Sequence, residues 1–169
     1  MRKNRVRLGG DLGVADAGAR GLGEIAASLR AHRVVGIDTS VFIYHIEEAP
    51  RYCACTKVLF DQMVDGSFEV VTSVLTLMEL AVKPLQMGKP DVADEYEVIL
   101  SNYPNLTIAK IDRATARRAA ELRATYKLRP ADALQVAACI EHGATAFLSN
   151  DRDLRRVSET SVLLLDDFV

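Results

Sequence analysis

The stretch Val34-Val35-Gly36-Ile37-Asp38-Thr39-Ser40-Val41-Phe42-Ile43-Tyr44 changes its period abruptly at one acidic residue. Residues 34–37 form a short continuous apolar run ending at Asp38, which is the pattern of a buried strand. Directly behind it, Val41, Phe42, His45 and Ile46 fall on one face of a short helix that stops before Pro50. Upstream, Leu22, Ile25, Ala26 and Leu29 share a helical face. Downstream the alternation continues, with a helix over 55–64 ended by Asp65-Gly66, a strand over 68–72, and a helix over 74–82 halted near Pro84. Val92, Tyr96 and Ile99 mark another helix, and Pro104-Asn105 introduces a third strand over 106–111. An Ala- and Arg-rich helix over 113–126 precedes one opened by Pro130 and closed by Gly143, and strands over 146–148 and 162–165 complete the chain. Short apolar strands alternating with helices predict an α/β fold, a five-stranded parallel sheet flanked by helices.

The chain has 169 residues and a mass of 18.5 kDa, the size of one domain. Apolar residues make up 49% and charged residues 26%, a globular balance rather than a disordered one. The formal charge of −2 excludes a histone-like polycation. It is unevenly spread: residues 1–33 hold seven basic and three acidic residues, the rest fourteen and twenty. Residues 1–20, rich in Gly, Arg and Ala and without a period, read as a flexible leader, and 21–169 as the single domain. The basic start has no apolar segment behind it, and no run reaches the ~18 apolar residues of a membrane span. A cytoplasmic protein with no membrane association is expected. Cys53-x-Cys55 has no second Cys or His pair at zinc spacing and reads as helix packing.

Ligands of open α/β sheets bind beyond the carboxyl ends of the strands, and the acids of this chain gather there. Asp38 ends the first strand, Glu79 lies a turn or two past the second, and Asp132 is in the first turn of the helix opened by Pro130. Asn150, Asp151 and Asp153 follow the fourth strand at once. Each has an ordinary structural reading. Asp38 caps a helix, Thr76-x-x-Glu79 fits a capping box, Asp132 meets a helix macrodipole, and Asn150 or Asp151 caps a short turn. Together they imply a different chemistry. The mutual repulsion of several carboxylates needs an offset, and oxygen-bound divalent cations supply one. With no evident His or Cys nucleophile, such a site points to metal-assisted phosphodiester hydrolysis.

Four segments in register resemble the PIN-domain family, most nearly the VapC-type toxin ribonucleases of type II toxin–antitoxin systems. They are residues 34–44, then Thr72-Ser73-Val74-Leu75-Thr76-Leu77-Met78-Glu79-Leu80, then Leu128-Arg129-Pro130-Ala131-Asp132-Ala133-Leu134-Gln135, and Phe147-Leu148-Ser149-Asn150-Asp151, within a match over about residues 33–165. The resemblance implies a PIN-like fold, usually dimeric, acting as a Mg²⁺- or Mn²⁺-dependent endoribonuclease. It implies Asp38, Glu79, Asp132 and Asp151 as the catalytic and metal-binding quartet, with Asp153 assisting the metal through water. Ser40 and Asn150 are implied as supporting residues, and Ser149 stands where the family often has Thr.

The expected partners are RNA, a cognate antitoxin and a second copy of the chain. Arg51, Lys83, Arg129, Arg152, Arg155 and Arg156 are candidate phosphate contacts, while His45 reads mainly as packing. Helices over 55–64 and 74–82 are candidate dimer faces, and Val41, Phe42, Val58 and Leu59 a candidate antitoxin groove. Two other readings compete: a non-catalytic PIN-fold module that binds RNA or protein, and an aspartyl-phosphate enzyme using Asp38. Asp38-Thr39-Ser40 lacks the second aspartate that one such family uses.

Overall fold

The computed structural model describes residues 12–169, with side chains from residue 18 onward. The order is α1 (Leu12–Arg30), β1 (Val34–Ile37), α2 (Thr39–Ile46), α3 (Cys53–Val64), β2 (Glu69–Ser73), α4 (Val74–Gln86), α5 (Pro90–Ser101), β3 (Leu106–Ala109), α6 (Arg113–Tyr126), α7 (Pro130–Glu141), β4 (Ala146–Ser149) and β5 (Ser161–Leu164). Short 3₁₀ turns follow the last two strands at Arg152–Arg156 and Leu165–Asp167. The sheet is five-stranded and parallel throughout, in the order β3-β2-β1-β4-β5.

Strand alternation divides the core in two. Val35, Ile37, Val70, Ala146 and Leu148 face one layer with Ile25 and Leu29 of α1, Val41 and Phe42 of α2, and Leu59, Phe60 and Met63 of α3. Val34, Val71, Ala109 and Phe147 face the other, against Ala119 and Leu122 of α6 and Val136, Ala137 and Cys139 of α7. β1 is therefore buried along its whole length, which is why its four residues are apolar without alternation. The chain winds from β1 outward through β2 to β3, then returns to place β4 on β1's other side. That reversal makes the carboxyl edge between β1 and β4 the switch point where open sheets form their clefts.

Three boundaries differ from expectation. α1 reaches back to Leu12, into the segment read as a leader, and residues 1–11 lie outside the described residues. Ile25 and Leu29 anchor this helix, and Ala15, Ala17 and Ala19 propagate it without a proline to stop it. At Gly21 a Cβ would lie 2.2 Å from the Phe168 carbonyl oxygen, so α1 is pinned to the end of the chain by close backbone approach. α4 runs through Pro84 instead of stopping there. The Pro84 carbonyl still accepts from the Met87 and Lys89 amides at 3.0 and 2.9 Å, and the helix ends where Gly88 turns left-handed at φ 68°. β3 closes at Ala109, short of Ile111.

Gly36 in β1 sets the spacing between sheet and α7. A Cβ there would lie 2.7 Å from both Cys139 Cβ and Phe147 Cδ2. Gly36→Ala is expected to lose about 1–3 kcal/mol by overpacking. Thermal unfolding checks this, at about 2–4 °C per kcal/mol for a chain of this size.

Candidate functional site

Three helix N-termini converge on the carboxyl edge of the sheet, and the acids arrive there through them. Asp38 leaves β1 in extended conformation and caps α2, its Oδ1 accepting the Thr39 amide at 2.8 Å. Its Oδ2 accepts the Ser40 hydroxyl at 2.9 Å and the Ser149 hydroxyl at 2.7 Å. Ser149, the last residue of β4, also accepts the Asp151 amide at 3.0 Å, so one buried hydroxyl joins the first and fourth acids. Asp151 caps the following 3₁₀ turn by accepting the Asp153 amide at 2.9 Å. Asp132 lies in the first turn of α7, behind Pro130. Glu79 is an exposed residue of α4, one turn beyond Thr76.

The structural roles expected of Asp38, Asp132 and Asp151 thus coexist with a shared electrostatic neighbourhood. Burial pushes the half-buried Asp132 carboxyl above the ordinary aspartate range. The charges of Asp151, Asp38 and Glu79 push the same way, and Arg129 pulls back. The capping-box reading of Thr76-x-x-Glu79 is corrected: Ser73 caps α4, accepting the Leu75 amide at 3.2 Å, and Thr76 is buried inside the helix.

Among the described residues, no three His, Cys, Asp or Glu side chains are drawn together tightly enough to form a ready metal cage. The donor set still fits a hard divalent cation. Mg²⁺ keeps several waters and takes one or two carboxylates plus substrate phosphate, which suits acids spread around a cleft. Asp153 is the outermost, its Oδ1 paired with Arg156 at 3.2 Å on the surface.

Asn150 ties the acid-bearing loop to the rest of the domain. Its Nδ2 donates to the Tyr52 hydroxyl at 2.9 Å, and its Oδ1 accepts the Asp166 amide at 3.0 Å. The Tyr52 hydroxyl donates to Asp166 Oδ1 at 2.9 Å, closing a ring of three residues from α3's N-cap and the turns after β4 and β5. The Tyr52 bond holds the Asp166 carboxyl below the ordinary range, with Arg152 and Arg51 adding to it.

The model of the PIN-domain family matches residues 35–160, which span the sheet edge and all four acids. The chain belongs to the PIN-domain family. Solved structures share the fold at low identity. A VapBC2 complex from Rickettsia felis, bound to a promoter DNA fragment, superposes with a TM-score of 0.59 at 17% identity, covering 78% of this chain and 98% of that one. A toxin–antitoxin complex from Klebsiella pneumoniae gives 0.58 at 20%, covering 78% and 97%. FitAcB from Neisseria gonorrhoeae gives 0.56 at 17%, covering 76% and 96%. No curated protein sequence matches the chain. Among the described residues no helix is long and apolar enough to cross a membrane.

On this PIN domain the expected phosphate contacts are mostly engaged. Arg51 and Arg152 both pair with Asp166, Lys83 with Glu47, Arg155 with Asp167 and Arg156 with Asp153. Arg129, exposed beside Asp132, has no acidic partner within ion-pair reach among the described residues. His45 is a packing residue: its ring lies 4.3 Å from that of Phe60, its Nδ1 is 3.3 Å from Thr56 Oγ1, and burial lowers its pKa.

Two expected docking faces are corrected. Val41, Phe42 and Leu59 are buried in the core and only Val58 is partly exposed, so the four form no antitoxin groove. α3 likewise turns Cys55, Leu59, Phe60 and Met63 inward and exposes only Val64 among its large apolar residues, whereas α4 exposes Val74, Met78, Val82 and Leu85. Sequence reading missed Tyr52 and Asp166. The signal for Asp166 was its place just after the fifth strand, on the same sheet edge as the other acids.

Asp132 makes a testable link between site and stability. Its folded pKa is raised, so its ionised form costs stability at neutral pH, and the cost disappears as pH falls below the unfolded value near ~4. In the presence of a chelator, Asp132→Asn should melt above the wild type at pH 7, with the gap closing toward pH 4. Differential scanning calorimetry at the two pH values reads both.

Proposed function

We propose that this PIN domain is a Mg²⁺- or Mn²⁺-dependent endoribonuclease and the toxin of a toxin–antitoxin pair. The observation that carries the reading is the convergence on Asp132: a half-buried carboxyl crowded by Asp151, Asp38 and Glu79 at the switch point of the sheet. Such crowding is costly in a site without a cationic ligand and useful in one with it. The toxin–antitoxin complexes among structures of the same fold support the biological role.

Asp38, Glu79, Asp132 and Asp151 would hold the cation, with Asp153 at the rim. A divalent cation there supplies Lewis-acid neutralisation of the charge that builds on a phosphoryl group. The chain's own residues do the rest. Three hydrogen bonds fix the Asp38 carboxylate in one orientation. The N-termini of α2, α4 and α7 favour an anion where the scissile phosphate would sit, and Arg129, beside Asp132, is placed to orient it. Asn150, through Tyr52 and Asp166, keeps the Asp151 loop from drifting away from this geometry.

An antitoxin would find a groove beside this cleft. Ile43, Ile46, Leu80, Pro84, Val92 and Tyr96 line an apolar hollow of about 270 Å³ between α2, α4 and α5, with Glu79, Glu47 and Lys83 at its rim. An inhibitor's apolar helix face there, with an Arg or Lys reaching the acids, would compete with the cation.

Purified wild-type chain should cleave single-stranded RNA with Mn²⁺, and Asp38→Asn and Asp132→Asn should each lose about 100-fold or more of that rate while keeping native circular dichroism. Expression of the wild type alone should slow growth, and Asp38→Asn should relieve it. Undiminished cleavage by both variants removes the site assignment. Binding of RNA without cleavage by the wild type favours the non-catalytic module instead.

The same reading includes a homodimer, supported by the exposed stripe Val74, Met78, Val82 and Leu85 on α4. Light scattering at tens of micromolar should give about twice 18.5 kDa, and Met78→Lys should shift the mass toward the monomer. A wild-type monomer at that concentration overturns the dimer.

A further inference from the structure

Directly beneath the acids lies a polar network sealed from solvent. Thr39, Thr72, Ser73, Thr76 and Gln135 are each no more than 4% exposed. The Gln135 amide Nε2 donates among the Ile37 carbonyl oxygen at 3.2 Å, Thr72 Oγ1 at 2.8 Å and Thr76 Oγ1 at 3.0 Å. Its Oε1 accepts the Ser73 hydroxyl. Thr72 donates to the Ile37 carbonyl at 3.1 Å and sits 2.7 Å from Thr76 Oγ1, which is 3.0 Å from Thr39 Oγ1.

Five polar side chains in a core are costly unless every one is paired, and apolar residues of the same volume would hold helices to a sheet with less risk. What hydrogen bonds add is direction. This network joins the three places in the fold that carry Asp38, Glu79 and Asp132. Ile37 and Thr39 flank Asp38, Thr76 is one helical turn before Glu79, and Gln135 is one turn after Asp132. A small rotation of α4 or α7 that apolar packing would tolerate breaks several of these bonds at once. We infer that Thr39, Thr76 and Gln135 are positioning residues that fix the rotational setting of α2, α4 and α7, and through it the mutual placement of Asp38, Glu79 and Asp132. The inference rests on the nuclease reading above and deepens it. None of the three reaches into the cleft, so each acts through the acid it sets.

The test uses the full chain with Thr76→Val, which keeps shape and loses the hydroxyl, Thr76→Ser, which restores the hydroxyl, and Thr39→Val, which removes a single contact and folds even if Thr76→Val does not. Mn²⁺ affinity by titration calorimetry, kcat and KM on RNA, and melting temperature are measured together. Both valine variants should weaken Mn²⁺ binding and kcat by about 10–100-fold with KM for RNA unchanged, and Thr76→Ser should recover most of the loss. Folded valine variants with wild-type Mn²⁺ affinity and kcat, whatever their melting temperature, overturn the inference and leave the nuclease reading standing. A wild-type chain that neither binds Mn²⁺ nor cuts RNA overturns the nuclease reading, and this inference with it.

Discussion

Gathering four carboxylates at one edge of a sheet is the constraint around which this domain is arranged. Like charges in a partly desolvated cleft repel far more strongly than in water, and the fold answers acid by acid. Asp38 receives one amide and two hydroxyl hydrogen bonds, and Asp151 receives an amide. Asp132 accepts no hydrogen bond among the described residues; burial and then its acidic neighbours push its carboxyl upward, against the N-terminus of α7 and nearby Arg129. The uncompensated cost on Asp132 comes from burial first and from the neighbouring charges second. A divalent cation bound beside it would offset that cost.

The sheet makes that gathering possible. β1 ends directly at Asp38 and has β2 and β4 on either side, so the acids that follow the neighbouring strands fall next to it without any long loop. Gly36 allows α7 to approach β1 closely, through Cys139, and α7 is the helix that brings Asp132. Packing in the second core layer and charge at the sheet edge are thus coupled through a single helix, whose apolar body lies against β1 and whose N-terminus faces the cleft.

The acids and the order of elements were legible in the sequence because each signal is local. An apolar run ending in Asp38, a proline opening the helix of Asp132, and an acid directly after Ser149-Asn150 can be read within ten residues. What could not be read depends on distant pairs. Gln135 meets Thr72 and Ser73 across 63 and 62 residues, and Tyr52 meets Asp166 across 114. Thr76 even gave a misleading local signal, since its spacing from Glu79 imitates a capping box while Ser73 does the capping. Periodicity also shows which residues share a helical face but not whether that face is covered. Val41, Phe42 and Leu59 were read as a docking surface for that reason, although α1, α3 and the sheet bury them.

The surface charge pairs bear on how such a site would admit a polyanion. Five of the six basic residues expected at phosphate are held by carboxylates, and Asp166 alone holds two of them. The cations in these pairs are all half or more exposed, and exposed ion pairs are worth about 0–1 kcal/mol each. A phosphate backbone could take over Arg51 or Arg152 at small cost, and Asp166 would still be held by the Tyr52 hydroxyl. The Asn150 ring, which steadies the Asp151 loop, would survive that exchange. Under the nuclease reading, phosphate capture at the rim and acid placement at the centre would share Asp166 without competing for it.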